Sequence, residues 1–318
     1  MKVALCGQGA FGIKHLEAIA KIDDVQVISV VGGSIDTTRE VAERFGIPHA
    51  TTDLRETLAR PGLDAVILAS PTQVHREQAE LSMRAGKHVL IEIPVADSLA
   101  DVESLIATQR ETGVIAMAGH VRRFNPSHQF VHRRIVSGEY ALQQMDAQTY
   151  FFRRTNTNAL GQPRSWTDHL LWHHGCHTVD LFQWQTGETA NVVNAIQGPI
   201  HSKLGIAMDM SIQLKVPSGA ILTLSLSFNN NGPFGSFFRY IGDTATYLAR
   251  YDDLTDGRDV PIDLSHVDVS MNGIELENRE FFSAILGRRE PRSSLAEALA
   301  AYQTLDRVES VLGRFVAA

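Results

Sequence analysis

The stretch KVALCGQGAFGIKHLEAIAKI, residues 2–22, changes its structural period at its glycines. Its apolar opening reads as a buried β-strand. Gly7, Gly9 and Gly12 follow in GxGxxG spacing, and Phe11, His15, Ile19 and Ile22 then recur on related turns of an amphipathic helix. A strand that turns through such glycines into a helix is built to receive an anion. Gly7 permits the tight turn, Gly9, with Ala10 and Phe11 beside it, lets the backbone approach a pyrophosphate, and Gly12 lets helix and strand pack closely.

Working outward, VQVISVV (25–31) is a second strand, ending at Gly32, Gly33 and Ser34. A dinucleotide site that prefers NAD places an acid there to hold the ribose hydroxyls. Here Ser34, Thr37, Thr38 and Arg39 offer hydroxyls and a guanidinium suited to a 2′-phosphate, with Asp36 nearby as a counter-signal. NADP is the expected cofactor and NAD the alternative. DAVILASPT (64–72), KHVLIEIP (87–94) and VIAMAGHVRRFNP (114–126) read as further buried parallel strands running into loops. The βα rhythm predicts a doubly wound sheet with its ligand beyond the carboxyl ends of the strands. Ser70, Pro71, Thr72, Glu92, Ile93, Pro94, Gly119, His120, Arg122 and Arg123 fall at those ends.

After residue 122 the period changes. Met208, Met210, Ile212, Leu214 and Val216 alternate, PSG turns the chain, and Leu222, Leu224, Leu226 and Phe228 alternate again, which predicts a hairpin in an open sheet. Its other face carries Ser211, Gln213, Thr223, Ser225 and Ser227, small enough to accept another subunit. The expected architecture is α/β: a Rossmann doubly wound parallel sheet over residues 1–122, then a C-terminal α+β domain over 123–318 with an open, mostly antiparallel sheet. A length of 318 residues suits two domains.

A net charge of −7 disfavours nucleic acid and anionic membrane as partners. Two cysteines, Cys6 and Cys176, are too few for a disulfide framework or a zinc cluster, and the absence of any long apolar run points to the cytoplasm rather than a membrane.

LLWHHGCHTVDLF, residues 170–182, is the densest polar feature. If residues 168–186 are helical, Leu171, Gly175, Thr178 and Phe182 share a core face, while His169, His173 and His177 recur on another, with Asp180 one turn beyond. No catalytic Glu of the HExxH type stands there and nothing completes a tetrahedral set, so no metal is expected. Proton transfer remains, for which histidine suits neutral pH.

The GxGxxG, ASPTQVH (69–75), GKHVLIEIP (86–94), GHVRRFNP (119–126) and the histidine helix together resemble the Gfo/Idh/MocA oxidoreductase family over essentially the whole chain. That resemblance implies an NADP-linked Rossmann domain whose cofactor residues include His75, Glu92 and Pro94, and an open C-terminal sheet through which homodimers or larger homo-oligomers form. The family's usual Glu-Lys-Pro is Glu92, Ile93 and Pro94 here, so its lysine is missing. Its Asp-x-x-x-His pair falls on His173 and His177, which makes His177 the inherited catalytic position, with His173 and His174 supplying what aspartate and lysine supply elsewhere. Which of the three is the base stays open.

RRFNPSH, QTYFFRR, PRSWTDHLLWHH and HTVDLF further resemble a branch of that family acting on a dicarboxylate semialdehyde from aromatic ring cleavage. The implied chemistry is hydride loss from a cyclic hemiacetal to give a lactone, without a cysteine nucleophile. Arg122, Arg123, Arg154 and Arg164 are the expected carboxylate anchors, with Trp166 and Asp168 beside them. A sugar or cyclitol dehydrogenase is the alternative within the family, and a non-catalytic NADPH sensor the alternative outside it.

Overall fold

The computed structural model describes residues 1–157, 161, 163–164, 167–264 and 271–316. Two compact units emerge: Met1–Gly119 with Ile274–Leu299, and His120–Gly273 with Ala300–Ala318.

The first unit alternates β1 (Lys2–Cys6), α1 (Ala10–Ile19), β2 (Gln26–Val31), α2 (Ile35–Phe45), β3 (Ala50–Thr51), α3 (Leu54–Leu58), β4 (Ala65–Leu68), α4 (His75–Arg84), β5 (His88–Glu92), α5 (Leu99–Thr112) and β6 (Ala116–Gly119). Its sheet runs β3-β2-β1-β4-β5-β6, every pairing parallel. The central strands are covered on both faces, which is why they read as continuous apolar runs: Val3, Ala4, Leu5, Ala65, Val66, Ile67, Leu68, Val89, Leu90 and Ile91 are fully buried. Each large aliphatic among them contributes about 1.5–3 kcal/mol. All carboxyl ends point the same way, and the order reverses between β1 and β4, the position where such sheets open a ligand crevice.

The second unit contains α6 (Pro126–Val136), β7 (Leu142–Tyr150), α7 (Cys176–Thr186), β8 (Val192–Gln197), β9 (Asp209–Lys215), β10 (Ile221–Ser227), β11 (Gly235–Gly242), β12 (Thr246–Arg250) and β13 (Asp253–Asp256). Its sheet runs β13-β12-β11-β7-β10-β9-β8, antiparallel except for the β7–β10 pair. The expected hairpin is β9–β10, in register from Ile221 opposite Lys215 to Ser227 opposite Asp209. Met210, Ile212, Leu214, Leu222, Leu224 and Leu226 face the core, where the turn before α7 packs on β9 and β10 and α7 itself packs on β7.

Two later helices, α8 (Ile274–Gly287) and α9 (Leu295–Val316), complete the chain. Helix α8 packs on α1, so residues 274–299 return to the first unit. A single division after residue 122 therefore misses this element: an amphipathic helix late in sequence carries no local mark of which sheet it will cover.

Candidate active site

In the first unit each glycine of the motif has a different physical reason. Gly7 sits at φ +107°, and a Cβ there would lie 2.3 Å from the Ala69 carbonyl oxygen. A Cβ on Gly12 would lie 1.8 Å from the Gly7 carbonyl oxygen. Those two are demanded by the protein's own packing. Around Gly9 there is nothing within 4 Å, so the space it leaves opens outward, where a phosphate group fits. Gly9 also begins α1 without a side-chain cap and with no acid in the first turn, leaving the helix amides for an anion. Ala10 is half-buried and Phe11 exposed beside them.

At the end of β2, Ser34 and Arg39 are exposed and Thr37 is half-buried. Thr38, expected to meet the cofactor, is buried, and its hydroxyl donates to the Ser34 carbonyl at 2.5 Å, holding the first turn of α2. Gln8, which the sequence reading passed over, bridges the two loops: its amide donates to Thr37 Oγ1 at 3.0 Å and its carbonyl accepts from the Gly33 N–H at 3.3 Å. Its place inside GxGxxG was the available signal.

The ends of β4 and β5 are joined by His75, whose Nδ1 lies 2.9 Å from the Pro94 carbonyl and whose Nε2 lies 2.8 Å from the Ser70 carbonyl. Burial pulls its pKa below the ordinary histidine value despite both carbonyls. Ser70 donates to Gln78 at 2.6 Å, Pro71 is exposed, and Thr72 is buried. Glu92 does not face the loop region: it is 6 % exposed, and Oε1 lies 2.8 Å from His15 Nε2. Its carboxylate, expected to meet the cofactor, has this internal partner. Ile93 stands half-buried where the family's lysine would be.

In the second unit the histidine segment is not a continuous α-helix. Leu170–Gly175 forms a π-helical turn before α7, and one extra residue in a turn rotates everything after it. The expected stripe of His169, His173 and His177 is therefore broken. His169 becomes the cap, its Nδ1 accepting from the Leu171 N–H at 3.2 Å, and His173 Nδ1 accepts from the His169 N–H at 3.1 Å. His177, on α7, is only partly covered; its Nδ1 is buried without a partner, which leaves Nε2 as the accessible nitrogen. Burial first, then the charges of Arg122, His120 and His174, hold its pKa well below 6.5, so it is a neutral base at physiological pH.

His174 turns the other way, with Nε2 3.2 Å from Asp168 Oδ2. Asp168 is a hub. Arg153 donates to its Oδ2 at 2.7 Å and contacts Oδ1 as well, and Arg164 donates to Oδ1 at 2.8 Å. Burial and the two arginines hold His174 down at about 3, so it adds no charge. Among the described residues, two guanidiniums face the one Asp168 carboxylate at side chains 14 % and 19 % exposed, an arrangement suited to an incoming carboxylate. Arg154, expected among the anchors, is exposed and donates to Asn229 Oδ1 at 3.0 Å, while Arg153 takes the inner position. Residue parity was the missed signal: Met145, Ala147 and Thr149 face inward, and 153 continues that count.

Arg123 is not a free anchor either. It is 5 % exposed and grips Asp180 through Nε at 2.8 Å and Nη2 at 2.7 Å. Burial pushes the Asp180 carboxyl up, but Arg123 and His120 more than offset it and the net shift is downward. His120 is fully buried with Nδ1 3.5 Å from Asp180 Oδ2, and burial lowers its pKa to about 4. Arg122, 8 % exposed, reaches Asn272 Oδ1 at 3.2 Å and lies 4.9 Å from the Tyr251 ring. Cys176 is buried with its thiol pKa pushed far up by burial, so no thiolate is available for covalent chemistry. Trp166 lies outside the described residues.

Among the described residues, no helix is long and apolar enough to cross a membrane. Residues 1–120 match the family described as "Oxidoreductase family, NAD-binding Rossmann fold", and residues 126–268 match "Bacterial oxidoreductases, C-terminal". The chain is 60 % identical over 309 residues, 97 % of its length and 98 % of the other's, to 4-carboxy-2-hydroxymuconate-6-semialdehyde dehydrogenase of Sphingobium sp. (strain NBRC 103272 / SYK-6). It is 35 % identical over 127 residues, 40 % of its length and 39 % of the other's, to scyllo-inositol 2-dehydrogenase (NADP+) of Bacillus subtilis (strain 168). The fold matches aldose-aldose oxidoreductase from Caulobacter crescentus complexed with glycerol at TM-score 0.87 and 19 % identity, covering 99 % of this chain and 98 % of that one. A glycine-rich nucleotide cradle, a second unit with an open sheet and identity sustained along both place this chain, an NAD(P)-dependent oxidoreductase, in the Gfo/Idh/MocA family.

Proposed function

We propose that the protein oxidises the cyclic hemiacetal of 4-carboxy-2-hydroxymuconate-6-semialdehyde to 2-pyrone-4,6-dicarboxylate, with NADP as hydride acceptor, in aromatic degradation. The observation that carries this reading is the 60 % identity held over 97 % of the chain. Matches to cyclitol dehydrogenases span 40 % and 43 % of the chain, too little to favour a sugar or cyclitol substrate.

The residues suit that chemistry. In the hemiacetal the reacting carbon already bears a hydroxyl, so no covalent adduct is needed, in keeping with the inert Cys176. His177 Nε2 takes the hydroxyl proton as the carbon gives up its hydride and the C=O of the lactone forms. NADP, when bound, supplies the hydride acceptor. Arg153 and Arg164, held by Asp168, orient one substrate carboxylate, and Arg122 attracts the other. Ser34, Thr37 and Arg39 receive the 2′-phosphate, with Gln8 setting the spacing of the two loops.

The outer face of the second sheet carries Val192, Ile196 and Ile221, 45 %, 66 % and 38 % exposed, beside the cross-strand pair Asp146 and Arg239. A second copy of this chain covers that face. Two free, buried cysteines suit a reducing cytoplasm.

The deciding experiment supplies freshly generated 4-carboxy-2-hydroxymuconate-6-semialdehyde with NADP and follows reduction by ultraviolet absorbance and product by mass. Formation of the pyrone dicarboxylate supports the reading. Tight NADP binding without turnover, or turnover of cyclitols instead, defeats it.

A further inference from the structure

Beneath the carboxyl end of β5 the first unit buries a charge cluster that hydride transfer does not use. His15 on α1, Glu92 at the end of β5, and Glu277 and Asn278 on α8 are 0 %, 6 %, 0 % and 0 % exposed. His15 Nε2 lies 2.8 Å from Glu92 Oε1, and its Nδ1 lies 3.1 Å from Asn278 Oδ1. One nitrogen of His15, one oxygen of Glu92 and one of Glu277 all lie within 4.8 Å of one another. Neither oxygen of Glu277 has a hydrogen-bond partner when both acids are taken as carboxylates. Two carboxylates have only acceptors to offer each other, so this proximity in a buried site favours a proton between them.

We propose that Glu277 holds a proton and donates it to Glu92, forming with His15 a one-proton clasp that fastens the glycine-rich helix α1 to the end of β5, so that Glu277 is a positioning residue for the cofactor. Swapping the Asn278 amide end for end lets it donate to His15 Nδ1, leaving Nε2–H to donate to Glu92. Glu92 then accepts from both sides. A Cβ on Gly119 would lie 3.0 Å from the Glu92 carboxyl, so the end of β6 bears on the same side chain.

Among the described residues, the charged groups around the cluster do not supply another counter-ion. Lys21 and Arg279 both pair with Glu275, Arg289 and Arg292 pair with Glu280, and Lys14 lies over the Phe11 ring. On β4's side, burial lowers the pKa of His75. Burial, reinforced by the charge of Glu92, raises the Glu277 pKa well above the ordinary value. The clasp therefore persists at neutral pH and fails as alkali removes the proton. Helices α1 and α8 thus meet at one carboxylate, Glu92 at the end of β5, and the Glu277 proton is what ties α8 to it. The neighbouring Glu92–Pro94 segment is tied in turn through the Pro94 carbonyl to His75 and Ser70.

The test measures the Kd of NADP, separately from turnover, in the full-length protein between about pH 6 and about pH 10, comparing wild type with Glu277→Gln, which keeps a donor in the same shape but cannot ionise. Wild-type affinity should fall about tenfold towards the alkaline end, while Glu277→Gln stays flat and matches wild type within about threefold at neutral pH, with kcat at saturating cofactor little changed in both. Equal alkaline loss in the two proteins, or none in wild type, overturns the proposal. Should the variant fold poorly, infrared spectroscopy of wild type decides: a protonated-carboxyl band at neutral pH that disappears at alkaline pH supports the clasp, and its absence at neutral pH overturns it. A divalent ion found at one per chain in the purified protein also overturns it, since the ion would take the proton's place.

Discussion

Two histidines of the first unit and two of the second are used in opposite ways. In the first, His15 and His75 have both ring nitrogens engaged, with Glu92 and Asn278 for one and the Pro94 and Ser70 carbonyls for the other. They act as rivets between α1, β4, α4 and β5. In the second, His120 has neither nitrogen hydrogen-bonded, and His177 has a buried Nδ1 without a partner and an accessible Nε2. A histidine whose nitrogens are both committed fixes geometry. One whose nitrogen is left open, and which burial keeps neutral, is available to take a proton. On the function proposed above, the first unit supplies shape and the second the proton chemistry.

The sharpest way to break this contrast is His177→Ala. We expect kcat to fall about 10²- to 10⁴-fold with the Kd of NADP unchanged. An equal kcat loss from His75→Ala, or none from His177→Ala, would erase the distinction. Next comes Asp180→Ala, which strands the buried Arg123 charge and should cost about 3–5 kcal/mol in unfolding free energy by denaturant titration. A loss below about 1 kcal/mol would mean that the Arg123–Asp180 pair is not what anchors α7.

Arg164→Gln probes the hub at Asp168. Substrate KM should rise about 10- to 100-fold with kcat little altered, as expected for a group that binds the substrate equally in ground and transition states. Smaller again is the cofactor effect. Replacing Ser34 and Arg39 with Ala should weaken NADP about tenfold and leave NAD nearly unchanged; equal losses would remove the phosphate assignment.

The pH dependence follows from depressed histidine pKa values. His120, His128, His174 and His177 are all lowered by burial, to about 4 for His120 and about 3 for His174. Their folded pKa values lie below the unfolded value, so the stability they contribute is present above about pH 6.5 and lost as pH falls. Each contributes a slope of about 1.4 kcal/mol per pH unit across its own window. Calorimetry between about pH 7 and about pH 4 should show a falling Tm; a flat Tm would mean that these rings are hydrated and titrate normally.

Much of this was legible locally. GxGxxG between strand and helix, the apolar runs at 64–72 and 87–94, and the alternation across β9 and β10 each announce an element through its own period. His177 is singled out by the family resemblance, and its role as base is what we propose for it. The same local reading did not foresee the internal partners of Thr38, Glu92, Arg123 and Arg154. It also laid the three histidines on one helical stripe, because nothing in the spacing of His169, His173 and His177 reveals a π-helical turn.

The sequence by itself determined seven of the strands, the helix that follows the glycine turn, the nucleotide turn and the family. Backbone period and glycine geometry are set by neighbouring residues, so a short window contains them. Only the tertiary structure decided which charges are spent and which stay available. A buried ion must find its partner wherever the chain brings one: Arg123 finds Asp180, Arg153 finds Asp168, and His15 finds Glu92, which in turn lies against Glu277 from the far end of the chain. Such pairings are made by folding, so no local period in the sequence records them.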